Sequence, residues 1–225
     1  MRFSKVMLTV FCLAMIPVMA GAATINEIRV DQVSTDNDEY FELAGSPGES
    51  LDGLTYIVIG DGTGGSGVIE AVVDLTGYAI PADGFFLAVE ATFTMACGDV
   101  PDYTGTLDFE NSDNVTHMLV SNFTGAKNDD LDTDDDGNLD STPWDNVVDC
   151  IALIETPGSG DLTYCDDTVG PDGSYAVAHA VVCETYWVVG TYDLCDTDTP
   201  GFANVDACVV GTEETSFGSL KSLFR

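Results

Sequence analysis

The chain has 225 residues, with 39 acidic and 6 basic side chains and a formal net charge of −33 at pH 7. A field of that sign repels phosphate backbones and anionic lipid and gathers cations, which argues against a nucleic-acid partner. Its 45% hydrophobic content is nevertheless that of a folded domain and not of an acidic disordered tail.

Arg2 and Lys5 form a basic opening, residues 6–19 are almost wholly apolar, and Ala20, Ala22 and Ala23 offer the small side chains a signal peptidase accepts. Residues 1–22 therefore read as a bacterial-type export signal. The apolar run is too short for a membrane span, and no later segment qualifies. The mature chain is expected to begin near Ala23 as a secreted or cell-surface protein that meets a protein or glycan at the cell exterior. Without Arg2 and Lys5 its bases are Arg29, Lys127, Lys221 and Arg225.

Strand signals follow one another from there. Thr24 to Val30, Glu39 to Leu43, Thr55 to Ile59, Gly67 to Asp74 and Phe85 to Val89 are β-branched or aromatic runs bounded by Gly, Asp, Asn and Pro. Val115 to Val120, Val147 to Leu153, Tyr175 to Val182 and Tyr186 to Val189 continue the series. Short strands with turn chemistry between them predict an all-β sandwich with long decorated loops. Within the first runs, Glu27, Glu39 and Glu42 read as strand-end and solvent-face residues. Gly60, Gly62 and Gly65 satisfy G-x-G-x-x-G, but a strand follows where a dinucleotide site needs a helix, so the run reads as a flexible connection.

The stretch from Asn128 to Asp140, NDDLDTDDDGNLD, carries the most specific chemistry. Asp132, Asp134 and Asp136 alternate, Gly137 follows at once, and Asp140 comes three residues later. A calcium ion takes six to eight oxygen ligands, and alternate side chains in a tight loop point to one centre while a glycine permits the turn. The expected ligands are Asp132, Asp134, Asp136, Asp140 and the carbonyl of Asn138. Pro143 stands where an EF-hand carries its bidentate Glu, and the flanks look strand-like, so the loop, spanning about 128–145, reads as a structural calcium site closer to a thrombospondin-type or dockerin-like Asp loop. Asp129, Asp130 or Asp145 is available to complete the shell.

Six cysteines remain after the signal: Cys97, Cys150, Cys165, Cys183, Cys195 and Cys208. An even number in an exported chain predicts three disulfides, with the pairing open. The two histidines, His117 and His179, both fall in strands; His117 reads as facing solvent or the sandwich rim, and neither neighbours a G-x-S-x-G elbow. The chain is therefore read as non-enzymatic. Trp144, Tyr186 and Trp187 offer the material of a carbohydrate platform, which makes a carbohydrate-binding or hydrolase-accessory protein the rival function. Beyond residue 210, Phe217, Leu220, Leu223 and Phe224 with Lys221 and Arg225 form a short amphipathic helical pattern. That tail resembles the brief C-terminal tails of some exported bacterial proteins and suits either surface association or a frayed end.

Ile25-Asn26-Glu27-Ile28 and Asp38-Glu39-Tyr40-Phe41-Glu42-Leu43 resemble the opening strands of the lamin-tail domain. Leu51-Asp52-Gly53-Leu54 is similar to its next strand entry, and Ile80-Pro81-Ala82-Asp83-Gly84-Phe85-Phe86-Leu87-Ala88 to its following hairpin. Trp187 with Thr199-Pro200-Gly201-Phe202-Ala203-Asn204 resembles its closing motif. The resemblance runs from Thr24 to Asn204 and implies an immunoglobulin-like β-sandwich over residues 23–209, with the stretch from Glu90 to Leu131 as an insertion. Bacterial members of that family are exported and often accompany hydrolase domains, and the cysteines are not a family hallmark.

Overall fold

The computed structural model describes residues 22–173, 177–205 and 208. The expected export signal, up to residue 21, and the tail over 210–225 lie outside the described residues. The strands are β1 (Thr24–Arg29), β2 (Tyr40–Ala44), β3 (Leu54–Gly62), β4 (Gly65–Asp74), β5 (Phe85–Glu90), β6 (Tyr103–Gly105), β7 (Val115–Ser121), β8 (Asn146–Leu153), β9 (Thr168–Val169), β10 (His179–Cys183) and β11 (Tyr186–Val189). Each of the nine expected runs contains a strand, although the one expected from Tyr175 begins only at His179 and residues 175–176 lie outside the described residues; β6 and β9 are additions too short to carry an alternation. No helix among the described residues is long and apolar enough to cross a membrane.

The fold is all-β and consists of two mixed sheets. One has the order β11-β10-β1-β2-β5-β6 and the other β4-β3-β7-β8-β9. Each is antiparallel except at one edge, where β6 runs parallel to β5 and β9 parallel to β8. Side chains alternate across the strands, so one face of each sheet supplies the common core. Ile28, Phe41, Leu43, Phe86 and Ala180 come from the first sheet, and Tyr56, Val58, Val73, Leu119 and Ile151 from the second. Phe41 and Tyr56 stack between the sheets with ring centroids 3.7 Å apart. The sheets are also tied by a polar contact, Ile25 N–H donating to Asp149 Oδ2 at 2.7 Å.

Both outer faces are covered as well, and this overturns several expectations. On the first sheet, Tyr40, Leu87 and Val89 point away from the common core and pack with Phe93, Met95, Cys97 and Leu194. The Cys97–Cys195 disulfide joins the two covering segments. Glu27 and Glu42 are consequently buried, both at 0% exposure, and Glu39, just before β2, is 5% exposed beside Phe109, so none of the three is a solvent-face residue. A bulge between Ile25 and Glu27 lets Ile25 and Ile28 both reach the core while Glu27 turns to the covered outer face. His117 is also fully buried and not at a rim, because Val115, His117 and Leu119 share the inward face of β7. Its Nδ1 lies 2.8 Å from the Tyr56 hydroxyl, and burial pushes its pKa down to about 3, so it stays neutral.

On the second sheet, Ile57, Ile59, Ile69, Met118 and Val120 form an outer cluster closed by Leu131, with Leu139, Trp144 and Tyr164 packed around it. The acidic loop therefore lies between two leucines that are held against the sheet. All six expected cysteines are paired, as Cys97–Cys195, Cys150–Cys165 and Cys183–Cys208.

Candidate metal centre

The chain arrives at the acidic loop along the free edge of β4. Asn128 N–H donates to Ile69 O, Ile69 N–H to Asp129 O, and Leu131 N–H to Gly67 O, at 2.7, 2.9 and 2.9 Å. Residues 128–131 thus pair with the half of β4 nearest its hairpin and cover backbone groups that an edge strand would otherwise present to solvent. The loop closes on itself where Asp140 N–H donates to Leu131 O at 2.7 Å and Thr133 donates from N and Oγ1 to Asp140 Oδ2. Its departure point on the sheet is β4 as well as the entry to β8, since Asp145 N–H donates to Ser121 O at 2.9 Å.

Asp132, the first residue of the pattern, is buried, whereas Asp134 and Asp136 are exposed. Each offers a carboxylate oxygen, and the three atoms lie within 4.8 Å of one another. Asp132 is fixed by donors: Asp136 N–H to Oδ1 at 3.2 Å, Gly137 N–H to Oδ2 at 2.9 Å and the Tyr164 hydroxyl to Oδ2 at 2.8 Å. Burial works to raise its pKa, and those donors outweigh burial and hold it below the usual carboxylate range. Asp134 moves the other way, raised first by repulsion from Asp136 and further by Asp140 and Asp132. The turn is made by Asp135 at φ +52° and Gly137 at φ +85°, the latter at the position where the pattern calls for glycine.

Asp140 is not one of the three converging carboxylates. Asn138 donates from N and Nδ2 to Asp136 Oδ1 at 2.8 and 2.9 Å, and Asp140 is engaged by Thr133 at the loop neck. None of the three proposed completing residues joins either. Asp129 Oδ2 accepts from Ala126 N, Asp130 Oδ1 from Asp132 N, and Asp145 Oδ2 from Asn122 Nδ2.

Two features of the centre escape a reading of spacing. Tyr164, next to the Cys150–Cys165 disulfide, supplies a side-chain donor from 32 residues away. The glycines of the β3–β4 hairpin make room for the loop: a Cβ at Gly64 would lie 2.5 Å from Asp130 Oδ2, at Gly65 2.3 Å from Asp135 Oδ1, and at Gly67 2.7 Å from Asp132 Cβ. The glycine-rich run is thus a seat for carboxylates and not merely a flexible connection.

Glu27, His179 and Asp198 form a second group with ligand atoms within 4.8 Å, all of them buried. Its atoms already have protein partners. Glu27 accepts from the Tyr40 hydroxyl and from Thr199 N and Oγ1, and His179 Nε2 lies 2.8 Å from Glu27 Oε1. Asp198 is ion-paired with Arg29, whose Nη2 donates at 2.8 Å, and takes Cys195 N–H at 2.9 Å. A divalent ion there would have to displace a buried guanidinium and several hydrogen bonds, so this network is self-sufficient.

The aromatic residues do not assemble one platform. Trp144 packs in the outer cluster of the second sheet and Trp187 against the common core, which leaves Tyr186 exposed by itself. No protein-family model, no curated protein and no solved structure matches the chain.

Proposed function

We propose that this chain is an exported, non-enzymatic β-sandwich of the lamin-tail, immunoglobulin-like type. Its acidic loop holds one structural calcium ion, and it serves as an adhesion or protein-interaction module at the cell exterior. The observation that carries the calcium reading is the approach of Asp132, Asp134 and Asp136 to within 4.8 Å on a loop held at both shoulders. Three carboxylates that close repel one another, and Asp134 registers that repulsion in a raised pKa. A hard dication removes the repulsion and takes carboxylate oxygens as ligands. Asp132 would anchor the ion, since its donors already orient it. Asp134 and Asp136 would close over the ion from the exposed side, and Asp140 would brace the neck through Thr133.

The non-enzymatic reading is supported by the burial of both histidines, each engaged with protein partners. An ion bound only to the folded chain stabilises by mass action, about 2.7 kcal/mol at a hundredfold excess over its Kd. Thermal unfolding in EDTA should therefore begin several degrees below that in millimolar calcium, and Asp134→Asn/Asp136→Asn should abolish the difference. Identical transitions in EDTA and calcium, with no ion found by mass spectrometry of the native protein, would refute the site.

A further inference from the structure

A second pair of carboxylates lies under the same hairpin. In the β3–β4 ladder Ala71 faces Val58 and Ile69 faces Ile59, so Glu70 is an extra residue without a partner of its own. Such a bulge breaks the alternation and re-aims the side chain. The Glu70 carboxylate is brought over Gly60, where a Cβ would meet Oε2 at 2.5 Å and Oε1 at 2.9 Å. The next residue of β3, Asp61, donates its N–H to Asp113 Oδ2 at 2.7 Å. Two carboxylates from distant parts of the chain are thereby gathered at the end of β3.

Their remaining oxygens are orphaned. Asp113 is 8% exposed, and its Oδ1 is buried without a hydrogen-bond donor among the described residues. Glu70 Oε2 is buried in the same condition. A buried acceptor without a partner bears its full desolvation cost, and two like charges side by side add repulsion. Burial first, and then the charge of Asp113, push the Glu70 carboxyl up to about 8. Burial and the charges of Glu110 and Asp61 push Asp113 up to about 6, against the Asp61 N–H that favours its charged form. Lys127, the only lysine among the described residues, favours the charged form of Glu70 without reversing the shift; it is half-exposed, with Nζ 3.4 Å from Asp108. Solvent reaches Glu70 through an open cavity of about 300 Å³, with Glu110, Asp108, Lys127 and Asp130 also in its wall.

We propose that Glu70 and Asp113 form a second divalent-cation site, which takes calcium, with Glu110 at its mouth and water completing the shell. A cation satisfies both orphaned oxygens at once and cancels the repulsion between them, and hard oxygen ligands with water suit calcium. The site shares no ligand with the acidic loop, although both face the β3–β4 hairpin. Gly60 is part of it, because any side chain there would occupy the place of the Glu70 carboxylate.

The test is a count of bound ions. Calcium titration by calorimetry and metal analysis of the dialysed protein at pH 7.5 should give two ions for the native chain. Asp134→Asn/Asp136→Asn should leave one, Glu70→Gln/Asp113→Asn should leave one, and the four changes together none. One ion that only Glu70→Gln/Asp113→Asn removes would uphold this site and overturn the loop. One ion that only Asp134→Asn/Asp136→Asn removes would overturn this site, and the pair would then share a proton. Should the double variant fail to fold, Glu70→Gln alone keeps the side-chain shape. It should weaken one of two binding steps at least tenfold, and an unchanged two-step isotherm would overturn the proposal.

Discussion

A side chain at position 67 would collide with the start of the acidic loop, because a Cβ there would lie 2.7 Å from Asp132 Cβ and 2.9 Å from Asp132 N. The backbone at Gly67 also has φ +94°, a region that favours glycine. Gly67→Ala therefore meets two penalties, a strained backbone and a displaced loop. Together they should destabilise the protein by about 1–3 kcal/mol in urea unfolding. Gly48 separates the two penalties: it has φ +81° but nothing within 4 Å of its Cβ position. Gly48→Ala should cost about 1 kcal/mol and leave calcium affinity unchanged, whereas Gly67→Ala should weaken calcium binding as well. Equal calcium affinities in the two variants would show that the loop does not depend on its seat at Gly67.

At the scale of elements, the acidic loop has its own mechanical frame. Leu131 is 2% exposed and packs with Ile57, Ile59 and Ile69, while its N–H pairs with β4. Leu131→Ala removes the packing and should cost about 2–5 kcal/mol with or without calcium, because the cavity forms in either state. Asp134→Asn/Asp136→Asn should behave oppositely, losing stability only in calcium and losing none in EDTA, where it removes repulsion. Urea unfolding of both variants in both buffers tests this, and a calcium-dependent loss for Leu131→Ala would contradict it. The period-2 runs identified every strand long enough to alternate, and the D-x-D-x-D-G register identified the three converging carboxylates. Spacing did not reveal what covers the strands. The segments over Tyr40 and Leu87, and the contact of Tyr164 with Asp132, join residues far apart in the chain without regular structure of their own. A strand whose outer face is covered in this way looks amphipathic in sequence and is buried on both sides, which is why Glu27 and Glu42 read as exposed; His117 read as a rim residue for another reason, being a polar side chain on the inward face of β7.

For the molecule as a whole, charge is the dominant stress. Of the six bases only Arg29 and Lys127 belong to the described body, and Arg29 is consumed by Asp198. Carboxylates must therefore be neutralised by cations, by hydrogen bonds or by protons. Glu39 and Glu42 use the third route. Burial lifts Glu39 to about 8 against the Phe109 N–H that favours its charged form, and burial with the charge of Glu27 lifts Glu42 to about 9. Both values lie above the 4.5 of an unfolded glutamate, so between pH 4.5 and 8 to 9 the folded chain holds protons that the unfolded chain has released. Stability from these two groups is then fully present below pH 4.5 and declines as pH rises through 8 and 9. In EDTA, which removes any contribution of bound calcium, urea midpoints should fall from pH 5 to pH 7 and again to pH 9. Glu42→Gln isolates the effect, since its amide carries no proton to lose; it should flatten the decline while keeping most of the side chain's shape. A native chain whose midpoint rises between pH 5 and pH 9 in EDTA would show that Glu39 and Glu42 enter the fold as carboxylates, and that the two-sheet fold tolerates its charge by hydrogen bonding alone.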